Sequence, residues 1–210
     1  MNITFIGIGN VGSALANNLA KLGHTVFIAA RDPRSESVRA ALTLNTRLRA
    51  LPVAEAVKKA EVVFLATPYA ANADALKSAS GLSGKVLVDC TNPVGPGVTH
   101  GLQSRTSGAE EVQRLAPGAT VVKAFTIYGY ENFQNPSYPG YDVKPAMLIA
   151  GDDGKAKATV ARLCEELGWR PVDVGPLSSS LHLEHMTLLW IKMARVQGQG
   201  ANFVWAMLER

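Results

Sequence analysis

Residues 2–12 read Asn2-Ile3-Thr4-Phe5-Ile6-Gly7-Ile8-Gly9-Asn10-Val11-Gly12, and this stretch decides the fold. Asn2 to Gly7 is a short apolar run of the kind that forms a buried strand. Val11 to Leu22 places Leu15, Leu19 and Leu22 on one helical face and is closed by Gly23. Between strand and helix, residues 7–12 fit G-x-G-x-x-G. Alone the pattern says little; in this setting it predicts a turn that holds a dinucleotide pyrophosphate. Gly7 serves the tight turn, Gly9 the approach of backbone to phosphate, and Gly12 the packing of helix on strand. The helix N-terminus adds free N–H groups and the positive end of its dipole. Ile8, Asn10 and Val11 complete the expected phosphate loop.

Outward from this turn, short apolar runs alternate with helical patterns, which signals a parallel sheet. Strands are expected at Thr25 to Ala30, weakly at Leu48 to Leu51, at Glu61 to Ala66, Lys85 to Cys90 and Thr120 to Phe125. Helices are expected at Ser35 to Leu44, Val53 to Lys59, Ala70 to Ser78 and Gly108 to Leu115. Val94 to Thr106 reads as a long loop, and the prolines and glycines of Asn132 to Pro145 break the rhythm. A further unit follows: strand Ala146 to Ala150, helix Lys155 to Leu167, strand Pro171 to Val174. Leu181 to Leu208 reads as helix, interrupted near Gly198 and Gly200 and apolar on most sides, so it needs a partner. The expected architecture is α/β: a Rossmann-type, doubly wound, mostly parallel sheet with helices on both faces. Residues 1–145 form its nucleotide-binding part. Residues 146–210 form a small C-terminal α/β extension (βαβα) that completes the domain and supplies the dimer and acceptor side.

The end of the second strand decides the cofactor. An NAD site places a carboxylate there, about twenty residues beyond the glycines, to bind the ribose 2′-hydroxyl. Counting lands near Asp32, but the strand ends at Ala30 and Arg31 follows directly. Arg31, with Arg34 and Ser35 close behind, suits a 2′-phosphate. Asp32-Pro33 reads as a helix start. The cofactor is therefore read as NADP(H).

Composition limits the alternatives. The 210 residues carry a net charge of +4 and are 47% hydrophobic. Arg31, Arg34, Arg39, Arg47 and Arg49 cluster loosely, but no basic run with interleaved aromatics appears, so nucleic acid is not expected. Cys90 and Cys164 read as buried free thiols of a reducing compartment. Glycines and asparagines interrupt the first thirty residues, no stretch reaches the length of a membrane span, and a cytoplasmic protein is expected. No Ser-His-Asp order, paired carboxylates or metal spacing is visible, and no catalytic residue can be named. His182-x-Glu184-His185 is not H-E-x-x-H, and no metal is expected. Trp190, Met193, Phe203 and Trp205 read as core or dimer interface before ring-stacking platform.

Together the segments GIGNVGSALANNLAKLGHTV, AARDP, EVVFLATPY, VDCTNPV, PGATVVKAF, AMLIAGDD and ELGWRPVDVGPL resemble the NADPH-dependent deazaflavin (coenzyme F420) reductases and related NADP oxidoreductases. The resemblance runs over nearly the whole chain and extends to the cytosolic domain of eukaryotic metalloreductases. It implies a homodimer and hydride transfer between NADP(H) and a deazaflavin, FMN, FAD or similar small-molecule acceptor. On the matching positions it implies that Gly7 to Gly12 and Arg31 bind NADP, and that Thr67 and Pro68 line the nicotinamide ribose; Tyr69, Asn92 and Pro93, also at the carboxyl ends of the strands, are expected on the cofactor side. Thr126, Ile127 and Tyr128 fall on the acceptor side. Thr126 stands where the family usually has Asn or His, and Leu183-Glu184-His185 where it often has Leu-Glu-Pro. A nucleotide-binding module that senses NADPH without catalysis, and ferric reduction through a flavin, are the rival functions.

Overall fold

The computed structural model describes residues 1–210. The opening unit is β1 (Asn2–Ile6), α1 (Asn10–Lys21) and β2 (Thr25–Ala30). Then come α2 (Glu36–Leu44), β3 (Arg49–Pro52), α3 (Val53–Lys59), β4 (Val62–Leu65), α4 (Asn72–Ser78) and β5 (Val86–Asp89). A hairpin of two-residue strands, β6 (Val94–Gly95) and β7 (Thr99–His100), lies inside the stretch read as loop. The chain continues as α5 (Gly108–Leu115), β8 (Thr120–Lys123), α6 (Tyr130–Gln134), β9 (Ala146–Gly151), α7 (Gly154–Glu166), β10 (Arg170–Asp173) and α8 (Ser180–Ile191).

Eight strands form one sheet in the order β10-β9-β8-β5-β4-β1-β2-β3. All pairs are parallel except β8 with β9. The sheet is therefore the expected mostly parallel, Rossmann-type α/β, and β9 and β10 lengthen it beyond β8. The chain winds from β1 to β3 on one side, then returns to place β4 against β1. The carboxyl ends of β1 and β4 thus flank the switch point, where an open α/β sheet leaves a crevice for ligand.

Both faces of the sheet are covered, which is why its central strands are mostly apolar. One face packs Leu15 and Leu19 of α1, Val38 of α2, Phe133 of α6, Leu163 of α7 and Leu183 of α8. The other packs Val57 of α3, Leu76 of α4 and Val112 of α5.

The C-terminus corrects the sequence reading. Regular helix ends at Ile191, one π-helical turn covers Lys192–Val196, and no helix follows. Gly198 and Gly200, at φ 72° and 82°, reverse the chain. Residues 201–205 then run back across the molecule as a strap. Asn132 Nδ2 donates to the Ala201 carbonyl at 2.9 Å, Trp190 Nε1 to Phe203 at 3.2 Å, and the Ala146 N–H to Trp205 at 2.8 Å. Phe203 stacks on Trp190 with ring centroids 5.6 Å apart. Of the two readings open for Trp190, Phe203 and Trp205, core or dimer interface, these contacts place them on the protein's own core. Their apolar pattern could not distinguish a helix from a strap, because both bury side chains.

Candidate functional site

The glycine turn stands where the sequence puts it. Gly7 takes φ +94°, and a Cβ there would lie 2.6 Å from the Ala66 carbonyl group. A Cβ on Gly12 would collide with the Gly7 carbonyl oxygen, whereas Gly9 faces open space. Two glycines are thus demanded by the fold and the third leaves the backbone bare. Gly9 occupies the N-cap of α1 and no side chain caps that end. The first N–H groups of a twelve-residue helix therefore point out of the turn.

A cleft of about 320 Å³ opens beside it, lined among others by Gly7, Ile8, Ala30, Arg31, Ser35 and Thr67. Ala30 is buried at the end of β2, and Arg31 is exposed at the rim. Asp32 also borders the cleft, but its Oδ1 accepts the Arg34 N–H at 2.9 Å and so stabilises the turn. The Arg34 side chain is 93% exposed and does not line the cleft. Helix α2 begins at Glu36 with Ser35 in the N-cap position, so Asp32 and Pro33 form the turn before the helix rather than its start.

On the other side of β1, Thr67 and Pro68 follow β4, Tyr69 opens a short 3-10 turn, and Asn92 and Pro93 follow β5. Thr126 comes after β8 and is only 2% exposed, so it stands behind Asn92 rather than facing an acceptor. Its hydroxyl donates to Asn92 Oδ1 at 2.5 Å, and Thr187 Oγ1 of α8 lies 3.1 Å from the same oxygen. Thr187, whose hydroxyl is also 3.0 Å from the Thr126 carbonyl, was not read from the sequence. Ile127 and Tyr128 require a correction. They are 0% and 4% exposed, the Tyr128 ring stacks on Trp169 at 5.2 Å, and its hydroxyl donates to the Ala146 carbonyl at 2.7 Å. The chain turns inward after Phe125, which holds φ +53°, and takes both side chains into the core. They are closed off from any acceptor.

Behind Thr91 lies a buried charged cluster that the sequence reading missed. Lys123 Nζ donates to Asp89 Oδ2 at 2.8 Å, sits 3.1 Å from Glu184 Oε1, and also donates to the Thr91 carbonyl. Glu184 Oε2 accepts from His100 Nε2 at 2.8 Å and from the Gly108 N–H at 3.0 Å, at the N-terminus of α5. Its Oε1 accepts the Ala109 N–H at 3.3 Å. The His100 Nδ1 accepts the N–H groups of Leu102 and Ser104, so the ring proton is on Nε2. Burial, the largest effect on the Lys123 ammonium, pulls its pKa down; Asp89 and Glu184 outweigh it, and the net shift is upward. Burial also raises the Tyr69 phenol to about 12, with help from Glu111, Glu184 and Asp89. Glu184 points into this cluster while its neighbours His182 and His185 face outward. The missed signal was a charged residue inside each of three apolar runs, where it must be paired to be buried.

Gly-rich turn, bare helix end and crevice at the switch point define a Rossmann-type dinucleotide-binding protein. A family model described as NADP oxidoreductase, coenzyme F420-dependent, matches residues 2–93. A crystal structure of an inferred F420-dependent NADP reductase from Arthrobacter sp. FB24 is 30% identical, matches over 100% of both chains and superposes with a TM-score of 0.87. A hypothetical protein from Sinorhizobium meliloti is 27% identical over 100% of this chain and 96% of its own, with a TM-score of 0.77. Metalloreductase STEAP3 of Rattus norvegicus is 32% identical over 89% of this chain, which spans only 36% of that protein. The chain belongs to the coenzyme F420-dependent NADP oxidoreductase family. No helix is long and apolar enough to cross a membrane.

Proposed function

We propose that this protein transfers a hydride between NADP(H) and a deazaflavin or flavin-like acceptor. The observation that carries the cofactor half is the end of β2: a buried Ala30 where an NAD site has its carboxylate, followed by Arg31 on the rim of the Gly7 cleft. The residues fit the dinucleotide. The open face of Gly9 and the uncapped α1 N-terminus accept a pyrophosphate, and Arg31 with Ser35 accepts a 2′-phosphate. Thr67, Pro68 and Tyr69 flank the second ribose, with Asn92 and Pro93 beyond them.

When bound, the nicotinamide supplies the hydride. The protein's part is to fix the ring, exclude water and hold the acceptor against it. Asn92, whose Oδ1 is held by the hydroxyls of Thr126 and Thr187, is a fixed polar group on the acceptor side. The F420 family supports a deazaflavin as one acceptor class, and the similarity to a metalloreductase supports electron delivery toward a metal ion. We further infer a homodimer, with Leu189 and Val196 among the exposed apolar residues that a second copy could cover.

The test is turnover of NADPH and NADH against deazaflavin, FMN, FAD and a ferric chelate with and without flavin. NADPH-specific reduction of a deazaflavin or flavin supports the proposal. NADPH binding without turnover of any acceptor supports the sensing module instead, and equal use of NADH overturns the cofactor assignment.

A further inference from the structure

A line of five side chains, joined by four hydrogen bonds, runs from the buried ion pair to the cleft. Lys123 Nζ donates to Asp89 Oδ2, and the Thr91 hydroxyl lies 2.7 Å from Asp89 Oδ1. Asn72 Nδ2 is 2.9 Å from that hydroxyl, and Thr67 Oγ1 is 2.7 Å from Asn72 Oδ1. Asp89, Thr91, Asn72 and Lys123 are buried, with between 0% and 3% exposure; Thr67 alone is half-buried and lines the cleft.

The direction of each bond follows from the one before it. Asp89 faces an ammonium and the Thr91 N–H, so it is a carboxylate and accepts only. Thr91 must then donate its single proton to Asp89, which leaves its oxygen as an acceptor. The Asn72 atom facing that oxygen must be the NH2 group, which turns the amide carbonyl toward Thr67. Thr67 in turn must donate inward. Its hydroxyl proton is unavailable to the cleft, and only lone pairs face a ligand.

We infer that the Lys123–Asp89 pair sets the polarity of the cofactor cleft: through Thr91 and Asn72 it holds Thr67 Oγ1 as a fixed acceptor that takes a ligand hydroxyl. Thr91 and Asn72 are positioning residues here, acting through Thr67. The inference rests on the reading that the cleft binds NADP(H). In that reading β2 holds the adenosine end and the Gly7 turn the pyrophosphate. Thr67, on β1's other flank, then meets the hydroxyls of the nicotinamide ribose. A threonine free to rotate would bind donor and acceptor ligands alike; this one discriminates.

The experiment measures dissociation constants of NADPH, of analogues with fluorine replacing either nicotinamide-ribose hydroxyl, and of adenosine 2′,5′-bisphosphate, which lacks that half. Fluorine keeps the size of the hydroxyl but cannot donate. In the unmodified protein one fluoro analogue should bind about three- to tenfold more weakly than NADPH, the effect of one ordinary hydrogen bond. Thr67→Val should erase that difference, and Thr67→Ser should restore it. Thr91→Val should reduce it, and Thr67→Val with Thr91→Val should bind no worse than Thr67→Val alone. Adenosine 2′,5′-bisphosphate should bind all variants alike. Equal affinity of both analogues and NADPH for the unmodified protein overturns the inference, as do losses that multiply in the double variant. If Thr91→Val fails to fold, the Thr67 variants and the analogues still decide. Failure of the unmodified protein to bind both NADPH and the bisphosphate would instead overturn the nucleotide reading itself.

Discussion

Lys123 Nζ lies 2.8 Å from Asp89 Oδ2, and neither side chain has any exposure to solvent. The pair joins β8 to β5, and through Glu184 it also ties α8 and the α5 N-terminus to the sheet. Removing two charges from water is expensive, so such a pair adds little net stability when intact. Removing one member is another matter, because the carboxylates left behind have no cation.

Lys123→Met should therefore destabilise the fold by about 3–5 kcal/mol, as expected when one member of a buried pair is lost. The pH dependence gives a second reading. The folded Lys123 pKa is raised, so its contribution is fully present below the ordinary value of 10.5 and is lost as pH rises through the folded value. Tyr69, raised from 10.0 to about 12, weakens the fold over the same alkaline range. The diagnostic is thus the difference between the two proteins in chemical denaturation, shrinking above pH 10.5. A difference that is constant from pH 7 to pH 12, or absent throughout, is the contrary result.

Whether a feature was legible in the sequence depended on how far apart its parts lie. The Gly7 to Gly12 turn was readable because strand, glycines and helix are contiguous, and each glycine's reason is local. Lys123, Asp89, Glu184 and His100 come from four segments that only the finished sheet and α8 bring together. Their clue was chemical: a single Asp, Lys or Glu within VLVDC, TVVKAF and LHLEHM. Tyr128 misled for the opposite reason. Position after a strand suggested the crevice, but the left-handed Phe125 turns the chain away from it.

Cofactor choice is set at the rim of the cleft. Arg31→Ala should weaken NADPH by about 1.5–3 kcal/mol, the range of a hydrogen bond to a charged group, and leave NADH nearly unchanged. Arg34→Ala should do little, since that side chain points into solvent. Isothermal titration of both nucleotides checks this; equal losses for NADPH and NADH in Arg31→Ala would place Arg31 away from the 2′-phosphate.

The three glycines should separate folding from binding. Gly12→Ala places a methyl group against the Gly7 carbonyl and should lower the melting temperature markedly. Gly9→Ala meets nothing in the free protein and should melt like the unmodified chain, yet lose nucleotide affinity because its methyl group occupies the phosphate approach. A Gly9→Ala protein with undiminished NADPH affinity would contradict the assigned path of the pyrophosphate.

The C-terminal strap should matter for stability and not for the nucleotide. Trp205 is half-buried; its N–H donates to Tyr128 Oη at 3.1 Å and its carbonyl accepts from the Ala146 N–H. Arg170 anchors the following residues through the Met207 carbonyl at 2.7 Å and Glu209 at 2.8 Å. These contacts gather at the β9–β10 edge, and β8, β5 and β4 separate that edge from β1 and its glycine turn. Tyr128→Phe leaves the Trp205 N–H without an acceptor and should cost about 1–3 kcal/mol. Trp205→Ala should reach the lower part of the range of about 3–5 kcal/mol seen for truncated core aromatics. At a temperature where both variants are folded by circular dichroism, each should bind NADPH as the unmodified protein does. An unchanged melting temperature would show the strap to be dispensable. Loss of NADPH affinity in a folded variant would show that it reaches the cleft.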